Sequence, residues 1–228
     1  MNALSRALVQ SMVAVFDPSG PVLEIGSRQV QDRDSHDLRD LFPGREYLGC
    51  DMEAGPGVDR IERLERLSFP DGWAGTVLCL NVLEHVWELG KGADEIRRVT
   101  APGGLALAVT VFDFHIHGFP EDYWRLTPRA LERLFDGYGS LVTGWQGDAE
   151  HPRMTFVLAF KSRRDGLEKL AERWRQEALS RWDGRKSVWD IFRAKLGGML
   201  FGKRGFQSIL HWNDLTIRVP LDSRVDKR

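Results

Sequence analysis

Apolar residues recur along this chain at two spacings that alternate. Leu4, Leu8, Met12 and Val15 form a stripe at helical spacing over residues 3–16, which Asp17-Pro-Ser-Gly20 stops. Continuous apolar runs of strand type then follow at Val22 to Gly26, Tyr47 to Met52, Thr76 to Leu80 and Leu105 to Phe112. Between them lie a short helix around Ser35 to Leu41, ended by Pro43-Gly44, and a turn cluster from Ala54 to Asp59. Ile61 to Leu67 leads to a breaker at Phe69-Pro-Asp-Gly72, and a helix reaches about Thr100 before Pro102-Gly-Gly104 stops it. Strands alternating with helices at this spacing predict right-handed crossovers and a parallel sheet.

The pattern changes twice more. After a helix at Pro128 to Phe135 come strands at Leu141 to Trp145 and Met154 to Phe160, joined by Gly147-Asp-Ala-Glu-His-Pro152. A loop that short cannot hold a crossover helix, so these two strands are expected to be antiparallel. From Arg163 the spacing is helical again. Leu167, Leu170, Ala171, Trp174, Ala178 and Trp182 make one stripe, and Val188, Ile191, Phe192, Leu196 and Leu200 a second. Periodicity fades after the breaks at Gly197-Gly198 and Phe201 to Gly205, and the last eight residues carry no pattern that predicts order.

Composition sharpens this division. With 228 residues, 42% of them hydrophobic, the chain can bury one α/β core with material left for an appendage. The near-neutral total conceals two unlike parts: residues 1–160 carry 15 Lys+Arg against 24 Asp+Glu, and residues 161–228 carry 17 against 9. The expected organisation is therefore a catalytic domain over 1–162 with an N-terminal helix, and a basic helical appendage and tail over 163–228. Such a tail suits self-association as a homodimer, or peripheral contact with an anionic membrane surface. No nucleic-acid module is visible, which argues against a nucleic-acid partner. Cys50 and Cys79 fall inside apolar strands and read as buried core residues. No secretory segment or spanning apolar run is present, so a cytoplasmic protein is expected.

The chemistry gathers at the carboxyl ends of the predicted strands, where open α/β sheets bind ligands. A dinucleotide site wants Gly-x-Gly-x-x-Gly, but the first turn reads Gly26-Ser-Arg-Gln-Val-Gln31 and has one glycine. That favours a cofactor without a pyrophosphate, and S-adenosylmethionine is such a molecule. Asp51, after the second strand, is placed to accept two hydroxyl hydrogen bonds from a ribose diol. Asn81 and His85 follow the next buried strand, on the rim where cofactor and substrate would meet. Asp113, His115, His117, Asp122, Tyr123 and Arg125 crowd the loop after Phe112. His115 and His117 are the candidate general bases, with Asp122 a further candidate. The alternative for this loop is a rigid turn in which Asp122 and Arg125 pair with each other.

Taken together, Glu24-Ile-Gly26, Asp51, Asn81-Val-Leu-Glu-His-Val86, Arg97-Arg-Val-Thr-Ala-Pro-Gly-Gly104 and the terminal hairpin resemble a class I S-adenosylmethionine-dependent methyltransferase. The segment His117-Gly-Phe-Pro-Glu-Asp-Tyr-Trp-Arg-Leu-Thr-Pro128 is similar to the marker of a small bacterial branch linked to surface-polysaccharide and other sugar-modification pathways. The resemblance spans about residues 18–162. It implies a Rossmann-like, seven-stranded, mostly parallel sheet whose seventh strand is reversed, and S-adenosyl-L-methionine as cofactor. It places Glu24, Gly26 and Ser27 at the methionine end, where Arg28 either pairs with the cofactor carboxylate or points outward. Asp51, Met52 and Leu64 belong to its nucleoside end, and Asn81 and His85 to its rim.

One departure stands out, because Arg63 occupies the position where an acid commonly meets the adenine amine. Backbone at Leu64, or Glu62 or Glu65, would then serve. Glu84-His85 is similar to a metal-binding pair in some methyltransferases, but Asn81 replaces the expected acid, so no metal is expected. The function implied is methyl transfer to a hydroxyl or amine of a small molecule, with a sugar or lipid-linked glycan as the favoured acceptor. The rivals are methylation of RNA or protein, and a non-catalytic scaffold that kept the fold.

Overall fold

A computed structural model describes residues 2–29, 37–118, 121–201 and 207–220. Helix α1 (Ala3–Phe16) starts where the Asn2 side chain accepts the Ser5 N–H at 2.9 Å, and it ends at Asp17 in the left-handed region. There follow β1 (Val22–Ile25), β2 (Tyr47–Asp51), β3 (Arg60–Ile61), β4 (Ala74–Leu80), α2 (Leu89–Val99), β5 (Thr100–Val111), α3 (Pro128–Leu134), β6 (Ser140–Gly147) and β7 (Pro152–Phe160). The chain closes with α4 (Leu167–Arg181), α5 (Val188–Phe201), the single turn α6 (Gln207–Leu210) and β8 (Leu215–Arg218).

The strands form one sheet in the order β3-β2-β1-β4-β5-β7-β6-β8. β1 pairs parallel with both β2 and β4, and β7 runs antiparallel to β5 and β6. The reversed strand is thus where the short 147–152 loop requires it, and the Rossmann-like sheet expected from the pattern is present. It has one strand more than expected, because β8 pairs antiparallel with β6 from Thr143↔Arg218 to Gln146↔Leu215.

Side-chain size explains how the layers stack. Leu78 and Leu80 on β4, Leu105, Leu107 and Val109 on β5, and Phe156, Leu158 and Phe160 on β7 face α1 and α4. The alternate positions, Val77 and Cys79, Ala106 and Ala108, and Val157 and Ala159, face α2 and α3. A period-two alternation of large and small residues therefore gives the sheet one thick and one close-packed face, both covered. The buried cysteines fit this packing, and burial pushes the Cys50 thiol up to about 12.

Residues on the two sides of the expected boundary at 162/163 share one buried cluster. Leu167, Ala171, Trp174, Ala178 and Trp182 belong to the same buried cluster as α1 and the large face of the sheet. The fully buried Trp174 donates its indole N–H to the Leu8 carbonyl at 3.1 Å and meets the Phe156 ring edge-on at 5.7 Å. Arg218 on β8 reaches the buried Glu132 of α3 at 3.1 Å. Helix α4 and strand β8 therefore pack directly on the elements of residues 1–162. Helical spacing alone could not tell a stripe that packs on the sheet from one that packs elsewhere.

The second stripe differs: Val188, Phe192, Leu196 and Leu200 on α5 are exposed. Of the short helix expected at Ser35 to Leu41, one turn at Arg39–Leu41 is described, and residues 30–36 lie outside the described residues. So do most of the break at 201–205 and the last eight residues. Among the described residues no helix is long and apolar enough to cross a membrane.

Because α4 is core, Trp174→Ala should cost about 3–5 kcal/mol in urea unfolding, in line with large cavity-forming substitutions. A loss below about 1 kcal/mol would show that α4 docks only loosely.

Candidate functional site

The sheet's direction of winding reverses between β1 and β4, and a cavity of about 880 Å³ opens at their carboxyl ends. Its floor is the turn after β1. Gly26 has φ +78°, and a Cβ there would lie 2.2 Å from the Val82 methyl, so sterics and backbone conformation both require glycine. The N–H groups of Gly26 and Ser27 donate to the Cys50 carbonyl at 2.8 and 3.1 Å, which draws the turn against β2. Gly49 leaves room for this, since a Cβ there would meet Ser27 Oγ at 2.6 Å. Ser27 Oγ is buried at the cavity wall without a hydrogen-bond partner among the described residues.

Every residue that the sequence places on the cofactor side borders this cavity: Glu24, Gly26, Ser27 and Arg28, then Asp51, Met52 and Leu64, then Asn81 and His85. Each Asp51 oxygen takes one backbone N–H, from Arg28 and from Glu53, both at 3.2 Å. Those bonds orient the carboxylate and leave further lone pairs free. Arg28 turns its guanidinium to Glu53. Arg63 is exposed and outside the cavity wall, whereas Glu62 and Glu65 on either side of Leu64 border it. Both Glu62 oxygens are occupied by Ser68.

The other end is built from two loops tied together. The Glu84 carbonyl accepts the Tyr123 N–H at 2.8 Å and the Trp124 N–H at 3.2 Å, and the Trp124 indole donates to the Val86 carbonyl at 2.9 Å. His85 donates from Nδ1 to the Glu121 carbonyl. Asn81, which opens the first loop, holds φ +59°, a conformation that favours glycine and costs a side-chain-bearing residue energy.

The candidate bases separate. His117 borders the cavity, its backbone N–H donates to Asp122 at 2.8 Å and its ring Nδ1 lies 3.2 Å from the same oxygen. His115 is exposed, stacked on Phe114 at 4.3 Å, and outside the cavity wall. Arg125 grips both Asp122 oxygens at 2.6 and 2.9 Å, and with the His117 N–H this holds the carboxyl far below the usual carboxylate range. The rigid-turn alternative for the loop thus holds for Asp122 and Arg125, and their pairing positions His117. Phe119 and Pro120 of the marker segment lie outside the described residues.

The wall also includes Gln146, Arg153, Trp182 and Trp212, none of them among the candidate site residues read from the sequence. Gln146 donates to the Trp212 carbonyl at 2.9 Å, and the Arg153 guanidinium sits 4.1 Å over the Trp212 ring. The Trp212 indole donates to the Gly184 carbonyl at 2.9 Å. The only hint in the sequence was an unusual density of tryptophan in the tail, and it reads equally as packing.

Comparison with known proteins agrees with this architecture. Residues 3–108 match the family model of a methyltransferase domain. Uncharacterized methyltransferases of Mycobacterium sp. strains JLS and KMS are 42% identical over 83 residues, covering 30% of this chain and 32% of theirs. The chain thus spans about a third of the length of the curated relatives it matches. The fold is similar to that of the CurJ carbon methyltransferase (TM-score 0.53, 17% identity, 69% of this chain and 54% of that one). It is also similar to Burkholderia thailandensis 1,6-didemethyltoxoflavin-N1-methyltransferase, solved with S-adenosylhomocysteine bound (TM-score 0.52, 14% identity, 70% and 78%).

One electrostatic consequence can be measured without any ligand. Burial, opposed by the hydrogen bond from Tyr47 at 2.7 Å, raises the Glu24 carboxyl from 4.5 to about 7. The folded chain therefore keeps a proton that the unfolded chain releases between those values, and this site loses stability as pH rises from about 4.5 to about 7. Glu24→Gln cannot release that proton. Its urea midpoint relative to wild type should rise across this window, and a difference independent of pH would show that Glu24 is ionised throughout.

Proposed function

We propose that this class I, S-adenosylmethionine-dependent methyltransferase moves a methyl group onto a hydroxyl or amine of a small molecule, and that the acceptor is a sugar or a lipid-linked glycan. The observation that carries the reading is His117, held through Nδ1 by Asp122 so that Nε2 remains available, on the wall of a cavity that Trp182, Trp212, Gln146 and Arg153 also border. Indole faces suit the apolar faces of a sugar ring, and an amide and a guanidinium suit its hydroxyls. The acidic balance of residues 1–160, 15 Lys+Arg against 24 Asp+Glu, disfavours RNA as acceptor.

The residues at the other end suit the cofactor. S-adenosylmethionine, when bound, supplies a methyl group on a positively charged sulfur. In this reading the unpartnered Ser27 hydroxyl and the Gly26 backbone meet its methionine end, and Glu24, ionised above about pH 7, faces its ammonium group. Arg28, already paired with Glu53, closes the rim there. Asp51 accepts the ribose hydroxyls, while Met52 and Leu64 cover the base, whose amine Glu65 or the Leu64 backbone receives. Asn81 and His85 separate cofactor from acceptor. His117 favours loss of the acceptor's proton, and Asp122 with Arg125 fixes the ring that does so.

Contact with a second copy or with an anionic membrane surface, in this reading, uses the exposed face of α5, because the α4 stripe is buried.

Two variants and a screen test the proposal. Asp51→Ala should weaken S-adenosylmethionine binding by about 1.5–3 kcal/mol, or about ten- to a hundredfold by calorimetry; unchanged affinity would refute the ribose assignment. His117→Gln should lower kcat by about 10²–10⁴ with cofactor affinity intact, while His115→Gln stays near wild type. The acceptor is found by screening sugars and glycans with a labelled methyl donor, and labelling of RNA or protein instead would overturn the small-molecule reading. A chain that binds no S-adenosylmethionine at all would be the scaffold.

A further inference from the structure

The strongest unexplained feature lies beneath His117. The Glu84 side chain is fully buried; Thr110 donates to its Oε2 at 2.9 Å, but Oε1 has no partner among the described residues. An unpaired buried carboxylate oxygen is costly, and folds retain one where something occupies it. Glu84, His85 and His117 each bring one donor atom to within 4.8 Å of the others'. Both imidazoles are prepared alike. His85 Nδ1 is bound to the Glu121 carbonyl and His117 Nδ1 to the Asp122 carboxylate, both acceptors only, so each ring carries its proton on Nδ1 and presents a lone pair at Nε2. Histidine ligands of metals are fixed in this way by a carboxylate or carbonyl on their other nitrogen.

We infer that Glu84, His85 and His117 form a binding site for a divalent transition-metal cation, Zn²⁺ by its two-imidazole, one-carboxylate donor set, with an open position toward the cavity. Three protein ligands and a free fourth position are the arrangement of catalytic zinc sites. No metal was expected because Asn81 replaces the acid of the resembled set. Here the third donor comes from the loop after β5, which the Glu84 carbonyl ties down through Tyr123 and Trp124. The inference rests on the proposed function and changes one role in it: with a cation bound, the His117 Nε2 lone pair is a ligand, and the cation, not the ring, would bind the acceptor hydroxyl and lower its pKa. Cation binding itself is measured apart from that role.

The test uses untagged full-length protein stripped with a chelator. Zn²⁺ is titrated by calorimetry, and Co²⁺ by its visible absorption, which reports low-coordinate nitrogen and oxygen ligation. Saturation at one cation per chain is expected. His117→Ala and His85→Ala should each weaken Zn²⁺ by about a hundredfold or more, and Asp122→Asn by about ten- to a hundredfold, because outer partners tune ligands. Glu84→Gln should abolish tight binding, and thermal unfolding of each metal-free variant verifies that it is folded. No saturable binding by wild type, or equal binding by the His85→Ala/His117→Ala double variant, overturns the inference. Stoichiometric Zn²⁺ binding without methyl transfer to any acceptor would leave the site standing and refute the proposed function. Chelator-insensitive methyl transfer without cation binding would do the reverse.

Discussion

Burial of the central strands on both faces is the constraint from which the rest of the molecule follows. All seven residues of β4 are buried, and from Leu105 to Val111 β5 is buried as well. Such strands cannot remain folded unless helices cover both sides. Alpha helices α2 and α3 cover the face where alanine and cysteine allow close approach. The other face carries leucine and phenylalanine, and α1 alone does not cover it. The buried Trp174 completes that layer, so α4 is obligatory to the fold although it follows the last of the expected strands.

The same stacking leaves the carboxyl ends of β1, β4 and β5 uncovered, and there the chain uses backbone to bring chemistry together. Gly26 and Gly49 let two turns touch where any side chain would collide. The Glu84 carbonyl ties the loop after β4 to the loop after β5. His85 and His117, far apart in sequence, consequently sit with ring centroids 4.8 Å apart, while Asp122 and Arg125 neutralise each other beside them. Charge and orientation at this end of the cavity are thus set by the neighbours of the two imidazoles.

How much of this could be read in advance depended on whether the information was local. Helical and strand periodicity, the single-glycine turn and the short 147–152 loop are local, and they gave a parallel sheet with a reversed strand. The cofactor-side residues follow strand ends, so topology alone brings them to one cavity. Other features are set by tertiary contacts. The pairing of Asp122 with Arg125 was one alternative among others, and a loop sequence does not reveal that the cavity wall includes His117 and not His115. Glu84 attracted attention only as a partner of His85; its unpaired oxygen is visible only once Thr110 and the surrounding core are in place.

A division of labour along the chain follows from where the two ends of the cavity are encoded. The cofactor-side residues, from Glu24 to His85, all lie within the stretch 3–108 that matches a methyltransferase domain. Those of the acceptor side, His117, Gln146, Arg153, Trp182 and Trp212, all lie beyond it. Trp182 is at once a cavity wall and part of the buried layer with Trp174. Selection for a new acceptor at that position would therefore disturb the packing that holds α4 on the sheet. Gln146, Arg153 and Trp212 are joined to one another across β6, β7 and the tail, and of the three Trp212 also packs against the large face of the core. In the proposed reading, Gln146 and Arg153 are the wall residues whose replacement would alter acceptor preference with least disturbance of the large-face core.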